Sequence, residues 1–270
     1  MRGLFLLLAL AFPAAAQDNS GLDRLDTRED LRGWEAVGRV DIRGAGFCTG
    51  TLIASDLVLT AAHCVLEADG KPIDARRITF RAGYADGVAI ADAPVKRTVA
   101  AEGFTGRDQA PVEEMLSDVA LLELASPIPT GLISPFTVSL PGTGDKVSVV
   151  SYAQGREEAL SIQRVCQVLG QRDGFIAVDC DVTHGSSGAP VLDRTGYRAR
   201  IVSIISFGYV EDGRPISFGM QLPAVVDELK ARLRAGRATS EAPSAGERSG
   251  VRRIGVGGGN TDIGARFVKP

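Results

Sequence analysis

Two short runs carry residue types that could do chemistry together. His63 sits in Thr60-Ala61-Ala62-His63-Cys64, and Ser187 sits in Gly185-Ser186-Ser187-Gly188-Ala189-Pro190. Between them Asp118 opens the apolar run Val119-Ala120-Leu121-Leu122, and the chain has only two histidines. A serine hydroxyl is a poor nucleophile until a neutral imidazole takes its proton. A buried carboxylate must then fix the imidazole tautomer and stabilise the imidazolium that forms. Singly, each residue has a plainer reading: a packed or capping histidine, a turn aspartate before a strand, a flexible Gly-Ser-Ser-Gly loop. It is their conjunction, in this order, that points to acyl transfer.

Parts so far apart in sequence need a frame that brings them together. Short runs rich in Val, Ile, Thr and Leu recur between Gly, Pro and Asp clusters, the punctuation of an all-β protein. Val37 to Ile42 alternates, and Thr51-Leu52-Ile53 and Leu57-Val58-Leu59 flank a turn at Ser55-Asp56. Val119 to Leu124 reads as an apolar strand. Pro127, Pro129, Pro135 and Pro141 then interrupt the pattern and mark a linker. Beyond it, strands are expected at Lys146 to Tyr152, Ser161 to Leu169, Phe175 to Cys180, Ala189 to Leu192, Arg200 to Ser206 and Ser217 to Leu222. One helix is expected after Pro223, with Val225, Val226, Leu229 and Leu233 at helical spacing and Gly236 just past its end.

The ends of the 270-residue chain differ from its body. Residues 1–16 combine a basic start, a short apolar run and an Ala-rich exit, the pattern of a signal peptide cleaved after Ala16. About nine apolar residues cannot cross a bilayer that requires roughly 20, so no membrane span is expected. Residues 17–33 read as a pro-segment or loose arm, 34–130 and 131–236 as two units, and 237–270 as a flexible tail. From Lys230 onward nine basic residues face three acidic ones, so residues 17–229 carry a charge of −10 within an overall −3. Such an acidic body gives no electrostatic reason to bind nucleic acid. Cys48, Cys64, Cys166 and Cys180 make an even set, which in an exported chain favours disulfides over metal ligation. No metal or cofactor is expected, and the protein is expected to be secreted or periplasmic.

At the His63, Asp118 and Ser187 motifs the chain resembles the trypsin-like (chymotrypsin-fold) serine peptidases, from roughly Trp34 to Arg234. The resemblance implies two six-stranded antiparallel β-barrels and a C-terminal helix packed on the second. His63 and Asp118 would come from the first barrel and Ser187 from the second, with the site in the cleft between them. It implies the disulfide Cys48–Cys64, and with it Cys166–Cys180. It also implies that the backbone N–H groups of Gly185 and Ser187 receive the oxyanion. The common animal motif has Asp where this chain has Ser186, and no Ile-Val-Gly-Gly-like start precedes the first strand. The motif is closer to bacterial trypsin-like and glutamyl-endopeptidase relatives, and a buried N-terminal ion pair is not expected to activate the protein.

For substrate binding the resemblance places Asp181 on the floor of the primary pocket, which would select Arg or Lys. His184 at the rim offers the opposite preference, for acidic side chains. Ser206-Phe207-Gly208 matches the segment that pairs with substrate backbone as an added strand, and Gly208 and Gly219 would leave the pocket walls open. Two other classes compete. An esterase of the α/β-hydrolase type would need Gly where Ala189 stands and the order Ser, acid, His. An inactive peptidase-fold binding protein would be expected to lack one of the three residues.

Overall fold

The computed structural model describes residues 21–105, 112–142 and 145–242. The leader expected at 1–16 and the tail beyond residue 242 lie outside the described residues.

Alternation builds the first unit. In Ile78–Ala82 the residues Ile78, Phe80 and Ala82 turn inward, while Thr79 and Arg81 are only half-buried. After β1 (Leu22–Leu25), six strands form this unit: β2 (Val37–Ile42), β3 (Gly46–Ala54), β4 (Leu57–Thr60), β5 (Ile78–Ala82), β6 (Ala91–Ala100) and β7 (Ala120–Leu124). They pair antiparallel in the order β6-β5-β2-β3-β4-β7, and a β6–β7 ladder closes the ring. Closure leaves these six with neighbours on both edges. The four-residue helix α1 (Val112–Met115) leads into Asp118 and β7.

The second unit contains β8 (Thr137–Val138), β9 (Lys146–Ala153), β10 (Arg156–Arg172), β11 (Phe175–Val178), β12 (Pro190–Asp193), β13 (Arg200–Ile204), β14 (Phe207–Glu211) and β15 (Arg214–Met220). Its order is β14-β15-β11-β10-β9-β12-β13-β8. The six strands from β13 round to β15 curl until their ends meet. Ser206 N–H donates to the Phe218 carbonyl at 2.9 Å, and the Ser203 hydroxyl donates to that of Met220 at 2.9 Å. The all-β fold with a terminal helix is the fold observed.

Three expectations change. Residues 17–33 are not a loose arm from Leu22 on. There β1 pairs with β10, and Leu25 and Leu31 are buried. The helix α2 (Pro223–Arg234) packs on β6 and β7 of the first unit rather than on the second. Its buried Val226, Leu229 and Leu233 join the core shared with the first barrel, and Arg232 donates to the Ala100 carbonyl at 2.9 Å. Nor is the segment after Gly236 simply flexible, because β16 (Ser240–Glu241) adds to β6. Thr239 N–H donates to Thr98 O at 2.7 Å. Polar residues thus gain backbone partners that no hydrophobic pattern announces.

Candidate active site

His63 lies in a 3-10 turn, Ala62–Cys64, that follows β4. The disulfide Cys48–Cys64 ties this turn to β3. Asp118 sits just before β7, with only 2 % of its side chain exposed. Its Oδ1 accepts the His63 backbone N–H at 2.9 Å, and its Oδ2 lies 2.8 Å from His63 Nδ1. The Ser206 hydroxyl also donates to Oδ2, at 2.5 Å. A buried carboxylate with three donors has its charge compensated where water is scarce. Because an ionised carboxylate only accepts, Nδ1 carries the proton and Nε2 is left as the acceptor. Burial disfavours the His63 imidazolium, but the charge and hydrogen bond of Asp118 outweigh it and raise the pKa above the ordinary 6.5.

Ser187 lies in the loop between β11 and β12, held against the first barrel by backbone. Thr49 N–H donates to Ser187 O at 2.9 Å, and Gly188 N–H to Ile205 O at 2.7 Å. Gly188 has φ +77°, and a Cβ there would stand 2.3 Å from Thr60 Oγ1 and 2.4 Å from Thr49 O. Only glycine lets the serine loop come this close to the turn bearing His63. Ser187 and His63 line one cavity of about 690 Å³ together with Gly185 and His184. Among the described residues no hydrogen bond joins the Ser187 hydroxyl to His63.

Beside Ser187 the peptide between His184 and Gly185 has a fixed orientation. The His184 carbonyl accepts from Gln154 N–H at 2.6 Å. In a trans peptide the next N–H points the opposite way, so Gly185 N–H faces away from Gln154. Gly185 has φ +93°, and a Cβ would meet the Phe47 ring at 2.4 Å. Neither Gly185 N–H nor Ser187 N–H has an acceptor among the described residues. Ser186 is buried, and its hydroxyl lies 3.3 Å from that of Ser151.

The residues expected to bind substrate divide. Phe207 and Gly208 lie on β14, at the end of the sheet with one edge unpaired. Phe207 stacks on Phe218 with centroids 4.8 Å apart. Ser206 is turned to Asp118 instead, and its N–H is taken by Phe218 O. Gly219 does not open a wall: a Cβ would stand 2.0 Å from Ile204 O, so its glycine serves the approach of β15 to β13. A Cβ on Gly208 would meet Val182 Cγ2 at 2.8 Å, so Val182 stands over this glycine. Asp181 is half-buried, and its N–H donates to Gln163 Oε1 at 2.7 Å. Burial holds the Arg156 guanidinium below its ordinary pKa, with the Asp181 charge working against that. Arg156 Nη1 is buried without a partner.

Both expected disulfides form, Cys48–Cys64 and Cys166–Cys180. Cys48, His63 and Cys64 bring one ligand atom each within 4.8 Å of one another, but sulfurs joined to each other are not thiolates and the set does not suit a metal. Thr49 belongs to no sequence motif. Its buried hydroxyl donates to Gly185 O at 2.9 Å and accepts from Tyr152 N–H at 3.0 Å, locking both units to the serine loop. The only hint was a polar pair, Thr49 and Thr51, inside an otherwise apolar strand.

An imidazole held by a buried carboxylate and a serine from the other β unit thus line one cavity. Residues 48–198 match the trypsin-like peptidase domain, and the chain belongs to that family. Mouse serine protease 23 is 29 % identical over 230 residues, covering 71 % of this chain and 58 % of its own length. Brachyurin of Leptuca pugilator is 31 % identical over 164 residues, covering 56 % of this chain and 64 % of its own. The chain thus spans less than two thirds of either relative. Among solved structures, a Glu endopeptidase in complex with MPD superposes with a TM-score of 0.65 at 18 % identity, covering 81 % of this chain and 98 % of that one. The protease Anisep from Arthrobacter nicotinovorans gives 0.60 at 18 %, covering 74 % and 96 %. These likenesses concern the fold.

Proposed function

We propose that this chain is a secreted or periplasmic serine endopeptidase working as a monomer on protein or peptide substrates. Ser187 attacks the carbonyl carbon, His63 Nε2 takes its proton and later gives it to the leaving amine, and Asp118 holds His63. The N–H groups of Gly185 and Ser187 receive the oxyanion. The observation that carries this reading is the buried Asp118, which fixes His63 in the one tautomer able to act as base. The two disulfides suit an oxidising compartment. Among the described residues no helix is long and apolar enough to cross a membrane.

One observation favours an inactive binding protein, the missing Ser187–His63 hydrogen bond. In free enzymes this contact is often long and tightens only with substrate, so it does not outweigh the rest. Ser187→Ala should abolish peptide hydrolysis with the fold intact. Turnover within tenfold of wild type would sink the assignment.

Cleavage after Arg or Lys needs an unspent charge on Asp181, and Arg156 already sits in its field. That supports a weaker basic preference than a lone carboxylate would give. The unpartnered Arg156 Nη1 favours a second reading, cleavage after acidic residues. A peptide library varied before the cut decides between them: Arg156→Gln strengthens cleavage after Arg in the first case and removes cleavage after Glu in the second.

A further inference from the structure

The cavity holding His63 and Ser187 is lined neither by β14 nor by Asp181 or Val182. It runs instead from Gly185 and Gln154 across the Cys48–Cys64 disulfide to Ile42, Phe47 and Glu67. On the reading of Ser187 as nucleophile, the acyl half of a substrate would pair with the free edge of β14, His63 would pass its proton to the leaving amine, and the cavity on that side would receive the chain beyond the cut.

It does not end there. A second groove of about 540 Å³ shares Ile42, Gly46 and Phe47 with it. Arg39, Arg43, Arg77 and Arg81 line this groove against only two acids, Asp41 and Asp92. The arginines are held in place. Arg39 Nε bonds Asp41 at 2.6 Å with its guanidinium 4.1 Å over the Tyr84 ring. Arg81 bonds Asp92 at 2.9 Å and its guanidinium lies 4.2 Å from the centre of the Tyr84 ring. Arg77 Nη1 pairs with Glu67 at 2.6 Å, at the seam between cavity and groove. Arg43 has no carboxylate partner among the described residues; its Nη2 reaches only the Arg76 carbonyl, at 3.3 Å. Asp41, Asp92, Glu67 and Glu158, the last 3.7 Å from Arg39, balance the four arginines in number, so among the described residues of the groove Arg43 is the guanidinium left uncommitted, in line with the site on a body whose residues 17–229 carry −10.

We propose that the Arg39–Arg43–Arg77–Arg81 groove is an extended subsite for carboxylate-bearing residues of the substrate a few positions beyond the cut bond. The inference rests on the reading of Ser187 as nucleophile. Guanidinium groups already shaped by Asp41, Asp92 and Tyr84 lose little freedom on accepting a further carboxylate. Exposed charge pairs are individually weak, so several acting together give about a tenfold preference, and salt erodes it.

The test uses peptides identical through the cut and the first two leaving-side residues, followed by three Glu, three Gln or three Lys. At low salt kcat/KM should run Glu over Gln by about tenfold, with Lys lowest, and the spread should shrink in high salt. Arg43→Gln should lower the Glu/Gln ratio at least threefold while hydrolysis of a small ester with no leaving-side peptide is unchanged. Binding of the same peptides to the Ser187→Ala protein, read by fluorescence anisotropy, should follow the same order. That arm separates the two readings, because a groove that prefers Glu without any ester turnover would sink the peptidase and leave the subsite. Equal Glu and Gln values in both arms, or a ratio untouched by Arg43→Gln, overturns the proposal.

Discussion

The two halves of the site are fixed by different means. On the first barrel, His63 and Asp118 are joined side chain to side chain, and the carboxylate collects all its donors within 2.9 Å. On the second, Ser187 is placed almost wholly by backbone: its carbonyl on Thr49, its neighbour Gly188 on Ile205, and the His184 carbonyl on Gln154. A proton relay needs particular functional groups, so its identity is written in residue types. An oxyanion site needs main-chain N–H groups at set angles, so its requirements appear only as glycines and positive φ.

That contrast orders the expected effects. Asp118→Asn should cost most, about 10⁴-fold in kcat, the size such a change has in a Ser-His-Asp site. It should also move the pH profile. The base must be neutral, so wild-type activity falls as pH drops through a His63 pKa held above 6.5 by Asp118. Without the carboxylate's charge that pKa falls, and the acid limb of the residual activity shifts to lower pH. A pH–rate profile of kcat/KM checks both, and an unmoved limb would separate His63 from the limiting ionisation.

Gly185→Ala attacks the other half. The new methyl meets Phe47 at 2.4 Å and Ala153 Cα at 3.1 Å in a backbone at φ +93°, so the N–H must turn. Losing one oxyanion donor lowers kcat by about 10²–10³-fold, with KM for a small substrate nearly constant. Steady-state kinetics reads this split, and an equal loss carried by KM would argue against the oxyanion role.

The two disulfides give the smallest and most selective comparison. Cys48–Cys64 closes a sequence separation of 16 and Cys166–Cys180 one of 14, so each removal should cost about 3 kcal/mol of stability. Denaturant unfolding of paired Cys→Ser variants measures this. Only the Cys48/Cys64 variant should also lose activity under native conditions, because only that bond anchors the turn bearing His63.

Much of this was legible in the sequence. The helix after Pro223 and the hairpin at Ser55-Asp56 carry period and punctuation strong enough to read locally. β6 did not, since Pro94, Lys96 and Arg97 break its apolar pattern, and its strand character comes from β5 and β7 on either side. The roles of Thr49 and Ser206 escaped because a buried hydroxyl's partner lies 103 to 136 residues away for Thr49 and 88 for Ser206. Gly219 was misread for a similar reason: whether a glycine opens a pocket or admits a strand depends on what faces it.

The proposed activity turns on whether Ser187 is a nucleophile activated by His63. A fluorophosphonate probe followed by peptide mapping tests it with no assumption about substrate. A single adduct on Ser187 is expected, forming faster as pH rises through the His63 pKa and slowed by orders of magnitude in Asp118→Asn. Absence of an adduct, or equal labelling in the Asp118→Asn protein, would contradict it.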